Sequence, residues 1–109
     1  MKVPLAQRTC EPCKGGVPPM TGAQIVALLR ELGGEWAAAG THHLQKTYRF
    51  ADFADALHFV NRVGEIAERE AHHPDIFLSW GRVRLEIFTH AIQGLTEADF
   101  ILAAKCDIV

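Results

Sequence analysis

The stretch Arg82-Val83-Arg84-Leu85-Glu86-Ile87-Phe88-Thr89 alternates between two sets of side chains. On an extended chain one side carries Val83, Leu85, Ile87 and Thr89, and the other carries Arg82, Arg84, Glu86 and Phe88. Alternation with a period of two is typical of a strand that buries one face and exposes the other. Such strands belong to antiparallel sheets that are covered on one side only. The stretch therefore predicts an open antiparallel sheet with one covered face.

Residues 43–50 predict a second strand of the same kind. Leu44, Tyr48 and Phe50 share its apolar face, and Lys46 is out of step with them. Residues 35–37 and 76–78 are expected to form two further short strands.

Three helices are predicted around these strands. Thr21-Gly22-Ala23-Gln24 is a capping box, in which Thr21 and Gln24 satisfy backbone donors at a helix start, and Gly33-Gly34 ends that helix. Thr96-Glu97-Ala98-Asp99 is a second capping-box pattern, with Asp in place of Glu, at the start of a last helix that runs through Phe100, Ile101 and Ala104.

The middle helix is the longest, and Asp52 is its predicted N-cap. It is expected to end at His72 or His73, because Pro74 disfavours helical geometry in the residue before it. Its predicted buried stripe consists of Phe53, Leu57, Val60, Gly64 and Ala67.

The order helix, strands, helix, strands, helix favours an α+β fold, an antiparallel sheet with helices on one face. A chain of 109 residues is one domain in length. Proline and glycine interrupt residues 1–20, which are expected to form an irregular lead-in to a single domain at 21–109. Pairing an edge strand with another subunit is one way to protect such a small sheet.

Composition and charge exclude several classes of protein. The 11 basic and 13 acidic side chains give a formal charge of −2 and form no basic run, which argues against nucleic-acid binding and a polybasic membrane anchor. The longest apolar runs are residues 25–29 and 100–104, far short of the roughly 20 that a membrane span needs. We expect a cytoplasmic protein without a disulfide framework, since the three cysteines are an odd number.

Histidine is the unusual residue: there are six, and four of them form the pairs His42-His43 and His72-His73. Glu68 stands four residues before His72, so on a continuous helix the two would touch and Glu68 would fix the imidazole tautomer. Trp80 and His90 follow along the chain. The three imidazoles at 72, 73 and 90, a carboxylate and a large aromatic ring could form a site for a flat heterocycle and transfer protons near neutral pH.

Other interpretations of these residues remain open. The His72-His73 pair could be a solvent-exposed partner of a helix C-terminus, and Glu68 a solvated side chain. Trp80 could belong to the core, and Asp99 could act only as a helix cap.

A metal module is a further alternative. Cys10-Glu11-Pro12-Cys13 has the spacing of half a zinc knuckle, which His42-His43 could complete. Adjacent histidines on a helix seldom bind one ion, so the 72–73 pair does not suggest a metal site.

The ordered set Glu68, His72-His73-Pro74, Trp80, His90 and Gly94-Leu95-Thr96-Glu97-Ala98-Asp99 resembles the signature of the pterin-4a-carbinolamine dehydratases. Residues 10–21 and Gly34-Glu35-Trp36 are similar to bacterial members, so the resemblance covers about residues 10–107.

The resemblance implies an α+β fold with a four-stranded antiparallel sheet and helices packed on one face, assembled as a homodimer or homotetramer. It implies loss of water from 4a-hydroxytetrahydropterin to give quinonoid dihydropterin, without metal or organic cofactor. That reaction recycles the cofactor of aromatic amino acid hydroxylases, chiefly phenylalanine hydroxylase.

The resemblance also implies roles for single residues. His72 and His90 would be the acid and base, and His73 would hold the pterin while Glu68 orients His72. Pro74 would shape the turn and Trp80 would pack on the pterin or wall its pocket. Asp99, with Thr96 in the same capping box, would fix the last helix and the loop behind His90.

A second function on the same fold is a non-catalytic one. Dehydratase-like proteins include Rubisco assembly factors and a transcription-factor dimerisation cofactor. The degenerate assembly-factor relatives tend to lose the histidine set that this chain keeps, which favours catalysis here.

Overall fold

The computed structural model describes residues 3–9 and 18–109. Its helices are α1 (Gly22–Leu32), α2 (Phe53–Glu70) and α3 (Glu97–Cys106), and two 3-10 helices cover Leu5–Gln7 and His90–Ile92. Its strands are β1 (Ala37–Ala39), β2 (His43–Arg49), β3 (Asp75–Ser79) and β4 (Arg82–Ile87).

The four strands form one antiparallel sheet in the order β1-β2-β4-β3. Leu44 pairs with Ile87 and Tyr48 with Val83, so the apolar sides of β2 and β4 share one face. Helices α2 and α3 pack on that face, and α1 packs on α3. The predicted α+β fold, with a four-stranded antiparallel sheet covered on one side, is confirmed.

The predicted helix starts are confirmed by their hydrogen bonds. Thr21 and Gln24 exchange both bonds of a capping box, at 3.3 and 2.9 Å. The Asp52 carboxylate accepts the backbone N–H of Asp55 at 2.8 Å. The N–H of Thr96 donates to the Asp99 carboxylate at 2.8 Å. Local sequence thus fixes where all three helices begin.

Helix α2 ends earlier than predicted, at Glu70 rather than at His72 or His73. Ala71 adopts the left-handed conformation with φ of 53°, and its N–H and that of His72 both bond to the carbonyl of Ala67. This arrangement closes the helix without the glycine that usually occupies such a position. Both histidines therefore follow the helix instead of lying on it.

The predicted buried stripe of α2 is wrong by about one position. The buried side chains are Ala56, Phe59, Val63, Ile66 and Ala67, of which only Ala67 was predicted. Phe53 and Leu57 are exposed. The helix carries two neighbouring apolar stripes, and the sheet covers the one that contains Val63 and Ile66.

The first strand also begins later than predicted. Gly33, Gly34 and Glu35 all have positive φ, near 65°, so the turn after α1 continues through Glu35. Strand β1 can therefore start only at Ala37.

Lys46, the residue out of step in β2, lies on the covered face. Its ammonium group bonds to the Asp107 carboxylate just beyond α3 at 2.8 Å and lies 4.8 Å from the centre of the Tyr48 ring. The Asp107 carboxylate thus compensates the charge of a lysine that lies on the covered face of the sheet.

The lead-in contributes to the core, because Leu5 is buried and its 3-10 helix packs on α3. Within the described residues, no helix has both the length and the apolarity needed to cross a bilayer.

Candidate active site

Among the described residues, the most buried charged or polar side chain is that of Asp99, in the first turn of α3. One oxygen lies 2.6 Å from Nε2 of His72, and the other accepts the Thr89 hydroxyl and the Thr96 N–H, both at 2.8 Å. The short distance joins the buried His72 ring to this carboxylate by a hydrogen bond. Three segments of the chain are joined at one side chain.

His72 reaches Asp99 because the chain reverses at Ala71. The side chain is only 7% exposed and its ring turns inward toward α3. The predicted contact between Glu68 and His72 is wrong: that prediction assumed a helix through residue 72, and α2 ends at Glu70.

Glu68 pairs with the other histidine. Its carboxylate lies 2.6 Å from Nε2 of His73, and both side chains are largely exposed, His73 at 57%. The pair lies at the surface, next to the buried His72.

His90 begins the 3-10 helix after β4 and is 56% exposed. Its Nε2 lies 3.9 Å from the carboxylate of Asp75, the first residue of β3. The preceding residue, Thr89, is fixed from behind by Asp99. The backbone at His90 is thus tied to a buried hydrogen-bond network while its ring faces solvent.

These contacts connect the segments that carry the three predicted histidines. Asp99 connects His72 to the residue before His90, and Asp75 connects His90 to the segment just after His73. Each ring has its own carboxylate: Asp99 for His72, Glu68 for His73 and Asp75 for His90. We refer to His72, His73, His90, Glu68, Asp75, Thr89 and Asp99 as the histidine cluster.

Pro74 lies between His73 and the start of β3, where it is half-buried. Trp80, in contrast, is not brought to the cluster. It occupies the turn between β3 and β4, where Ser79 pairs with Arg82, whereas Asp75 pairs with Glu86 at the opposite end of the hairpin. Its side chain is exposed there. Trp80 was predicted to join the site because it is close to His73 in sequence. Strand β3, however, runs away from the histidine cluster and ends at Ser79, next to Trp80.

Thr89 is a member of the cluster that the sequence analysis missed as a site residue. The alternation of β4 does place it on the buried face, and it is buried. A hydroxyl at the end of an apolar stripe needs a hydrogen-bond partner, and this was the available signal.

Asp99 was expected to fix the last helix and the loop behind His90, and its bonds to Thr96 and Thr89 have that geometry. Its bond to His72 was not expected, because no local pattern links residues 72 and 99.

The proposed metal module falls partly outside the described residues, because Cys10 and Cys13 belong to the segment 10–17. Within residues 3–9 and 18–109, no three His, Cys, Asp or Glu side chains are placed to hold a metal ion. The exposed imidazoles of the cluster can instead bind a polar ligand and exchange protons with it.

Comparison with known proteins gives a family match. The family model described as pterin 4 alpha carbinolamine dehydratase matches residues 18–109. A relative from Rubrobacter xylanophilus, provisionally named pterin-4-alpha-carbinolamine dehydratase, is 54% identical over 103 residues, which cover 94% of this chain and 95% of the relative. A relative from Rickettsia bellii with the same provisional name is 50% identical over 105 residues, 96% of this chain and 93% of its own.

Two solved structures share the fold. One, described as a transcriptional coactivator/pterin dehydratase from Brucella melitensis, has a TM-score of 0.76 and 31% identity, and the match covers 83% of this chain and 96% of that one. The other, described as a pterin dehydratase-like RuBisCO assembly factor of the alpha-carboxysome, has a TM-score of 0.60 and 22% identity, over 71% and 90% of the two chains. At that identity the second likeness concerns the fold alone.

Proposed function

Since the chain belongs to the pterin 4 alpha carbinolamine dehydratase family, we propose that it removes water from 4a-hydroxytetrahydropterin and forms quinonoid dihydropterin. The observation that carries the proposal is the Asp99 carboxylate, which joins buried His72 to the residue before His90. Two exposed imidazoles, His73 and His90, flank this network, each beside a carboxylate.

The reaction needs two proton transfers. Hydroxide is a poor leaving group, so an acid donates a proton to the 4a-hydroxyl as the carbon–oxygen bond breaks. A base takes the proton of the neighbouring ring nitrogen, whose electron pair forms the new carbon–nitrogen double bond. The products are water and quinonoid dihydropterin, and no oxidation state changes. Imidazoles suit both steps, and each such transfer contributes about 10²–10⁴-fold in rate.

Burial favours His73 and His90 as the groups that transfer these protons. Both rings are more than half exposed, whereas the His72 side chain is 7% exposed and bonded to Asp99. Because the Glu68 carboxylate holds Nε2 of His73, its Nδ1 is left to meet the substrate. This exchanges the roles of His72 and His73 relative to those that the family resemblance implied: His72 anchors the site, and Glu68 orients His73.

The pterin would bind on the solvent side of the cluster, next to His73 and Pro74. Trp80 is left out of this proposed site, because the β3–β4 hairpin places it at the far end of the strands.

A dehydration assay tests the proposal. Carbinolamine generated in solution is mixed with the purified protein, and its loss is followed by absorbance against a buffer control. We expect acceleration by the wild type and a loss of about 10²–10⁴-fold in His90→Ala. His58→Ala is the matched control, because His58 lies exposed on α2 outside the cluster. A wild-type rate equal to that of buffer would reject the dehydratase.

We also propose a physiological role for the reaction. The product is the form of pterin that a reductase must restore before an aromatic amino acid hydroxylase, such as phenylalanine hydroxylase, can use it again. Loss of the reaction should therefore slow such a hydroxylase when pterin is limiting.

We further propose a homodimer or homotetramer. Strands β1 and β3 are the two edges of the sheet, and Phe53 and Leu57 leave an exposed apolar stripe on α2. Light scattering coupled to gel filtration tests this assembly, and Leu57→Glu should lower the mass if α2 takes part. A monomeric wild type would reject it.

The exposed stripe of α2 also supports the second candidate function, a binding protein on the same fold. The Brucella melitensis structure, at 31% identity, is described as both coactivator and dehydratase. A large partner that co-purifies and is lost in Leu57→Glu, with no turnover by the wild type, would favour this function over catalysis.

A further inference from the structure

His90, a member of the histidine cluster, belongs to a stack of three tilted aromatic rings with Phe88 and His42. The ring of Phe88, the residue after β4, contacts both the His42 ring and the His90 ring. The ring centres lie 4.5 Å apart for His42–Phe88 and 4.2 Å apart for Phe88–His90, with tilts of 38° and 48°. These distances are at or just below the lower limit of about 4.5 Å for packed aromatic pairs, so the rings are in close contact. The turn between β1 and β2 supplies His42, far from His90 in sequence.

Gln93 contacts two of the residues in this stack. Its amide nitrogen donates to the carbonyl of His90 at 2.9 Å, and its amide oxygen lies 3.4 Å from Nε2 of His42. Gln93 itself has a positive φ of 49°, which ends the 3-10 helix and turns its side chain back over the loop. One side chain thus touches both the backbone of His90 and the ring at the far end of the stack.

Among residues 3–9 and 18–109, His90 has few other contacts that hold its ring. Its side chain is more than half exposed, and the nearest carboxylate, that of Asp75, lies 3.9 Å away, beyond hydrogen-bond distance. Asp99 fixes the backbone through Thr89 but does not reach the ring. A free imidazole in a short surface helix would sample several rotamers, and proton transfer requires one of them.

We propose that Phe88 and His42 are positioning residues, which hold the His90 ring in the rotamer that reaches the substrate. Phe88 packs against the His90 ring, and His42 packs against Phe88. Neither residue needs to touch the pterin. The inference rests on the proposed dehydratase for its kinetic consequence, but the position of the His90 ring can be measured without turnover.

The kinetic test uses paired variants. Phe88→Leu and His42→Ala remove one ring each, whereas Phe88→Tyr and His42→Phe keep a ring in the stack. We expect kcat to fall about 10-fold in the first pair, with KM within about twofold of the wild type, because orientation and not binding is lost. The ring-retaining pair should keep kcat within about twofold, and His58→Ala should behave as the wild type.

The structural test uses the carbon–hydrogen signals of the imidazoles in protein labelled on histidine, with the His90 signals assigned by their loss in His90→Gln. His42→Ala is the deciding variant, because Phe88→Leu alters the signals directly through the missing ring. His42→Ala should shift and broaden the His90 signals and leave those of His72 in place. His42→Phe should restore the sharp His90 signals.

The two readouts separate the possible failures. Wild-type His90 signals and wild-type kcat in His42→Ala would overturn the positioning role. If the protein shows no dehydratase activity, the proposed function fails, and the His90 signals alone decide on the stack: displaced signals in His42→Ala support it, and unchanged signals reject it.

Discussion

Two aspartates, one near each end of α3, both connect the helix to other segments by accepting several hydrogen bonds, but only one of them lies next to the candidate active site. Asp99, in its first turn, accepts hydrogen bonds from His72, Thr89 and Thr96. Asp107, just past its last turn, accepts three from the sheet side: Trp36 Nε1 at 2.9 Å, the Lys46 ammonium at 2.8 Å and the Tyr48 hydroxyl at 2.5 Å. Each carboxylate thus ties α3 to at least two other segments.

The difference lies in what stands next to the partners. Beside the partners of Asp99 are His73 and His90, two exposed imidazoles. The partners of Asp107 are aromatic rings and a lysine whose side chain is 14% exposed, and no second layer of exposed titratable groups adjoins them among the contacts of the described residues. A buried carboxylate therefore becomes part of a reactive site only where its network ends in groups that a ligand can reach.

The largest loss of activity without loss of stability should occur at the Asp99 end, where the groups that transfer protons differ from the group that anchors the site. His73→Ala should lower kcat by about 10²–10⁴-fold and leave the free energy of unfolding within about 0.5 kcal/mol of the wild type, because the ring is exposed. His72→Ala should lower both activity and stability, the latter by about 1–3 kcal/mol, because it leaves the Asp99 carboxylate short of a donor. Urea unfolding and the dehydration assay give the two numbers. A stable, inactive His72→Ala beside an active His73→Ala would restore the roles implied by the family resemblance.

Asp99→Ala should destabilise the fold by about 3–5 kcal/mol and abolish activity. The substitution leaves the His72 ring, the Thr89 hydroxyl and the Thr96 N–H buried without their acceptor. Asp99→Asn is the matched variant: it keeps the shape and one acceptor oxygen, so we expect a smaller loss, about 1–3 kcal/mol, in urea unfolding. Equal stability of Asp99→Ala and the wild type would show that the network is not formed.

Asp107→Ala should cost less, about 2–3 kcal/mol, since the side chains of Asp107 and Lys46 are 19% and 14% exposed. Activity measured well below the unfolding midpoint should stay within about twofold of the wild type. A loss of turnover comparable to that of His73→Ala would remove the distinction between the two ends of α3.

Much of the Asp107 end was present in the sequence without being interpreted. Gly34 was interpreted only as part of a helix stop and of a family resemblance, Trp36 only as part of that resemblance, and Lys46 only as a break in alternation. The structure gives one reason for all three: a Cβ on Gly34 would lie 2.5 Å from an Asp107 oxygen, and Trp36 and Lys46 donate to the same carboxylate. Sequence patterns flagged the positions, but the partner lies at the far end of the chain.

The limits of prediction at the Asp99 end have a local cause. Alternation and helix caps follow from neighbours in sequence, so the sheet, the three helix starts and the set of histidines could be predicted. The end of α2 depends on Ala71 in a left-handed conformation that favours glycine, and alanine gives no such signal. That one residue decides which histidine turns inward, and hence which carboxylate each ring meets.

The smallest expected effect is a pH dependence that reports on one hydrogen bond, the one between Tyr48 and Asp107. Tyr48 is the single tyrosine of the chain. Burial, followed by its hydrogen bond to the Asp107 carboxylate and the charge of that group, raises the pKa of Tyr48 well above its ordinary value of 10.0. Alkaline titration followed by near-ultraviolet absorbance should therefore show no tyrosinate near pH 10 while the protein stays folded.

The raised pKa of Tyr48 also predicts that the free energy of unfolding decreases at alkaline pH. Below pH 10 both the folded and the unfolded chain keep the phenol proton, so the contribution of Tyr48 is fully present. Above pH 10 only the unfolded chain releases the proton, so the free energy of unfolding falls, by about 1.4 kcal/mol between pH 9 and pH 11. Tyr48→Phe has no phenol to ionise. Subtracting its free energy of unfolding from that of the wild type at each pH therefore cancels the contribution of the lysines. If the wild type and Tyr48→Phe lost stability in parallel, or if tyrosinate appeared near pH 10 in the folded protein, the Tyr48–Asp107 bond would not be what holds the far end of α3 to the sheet.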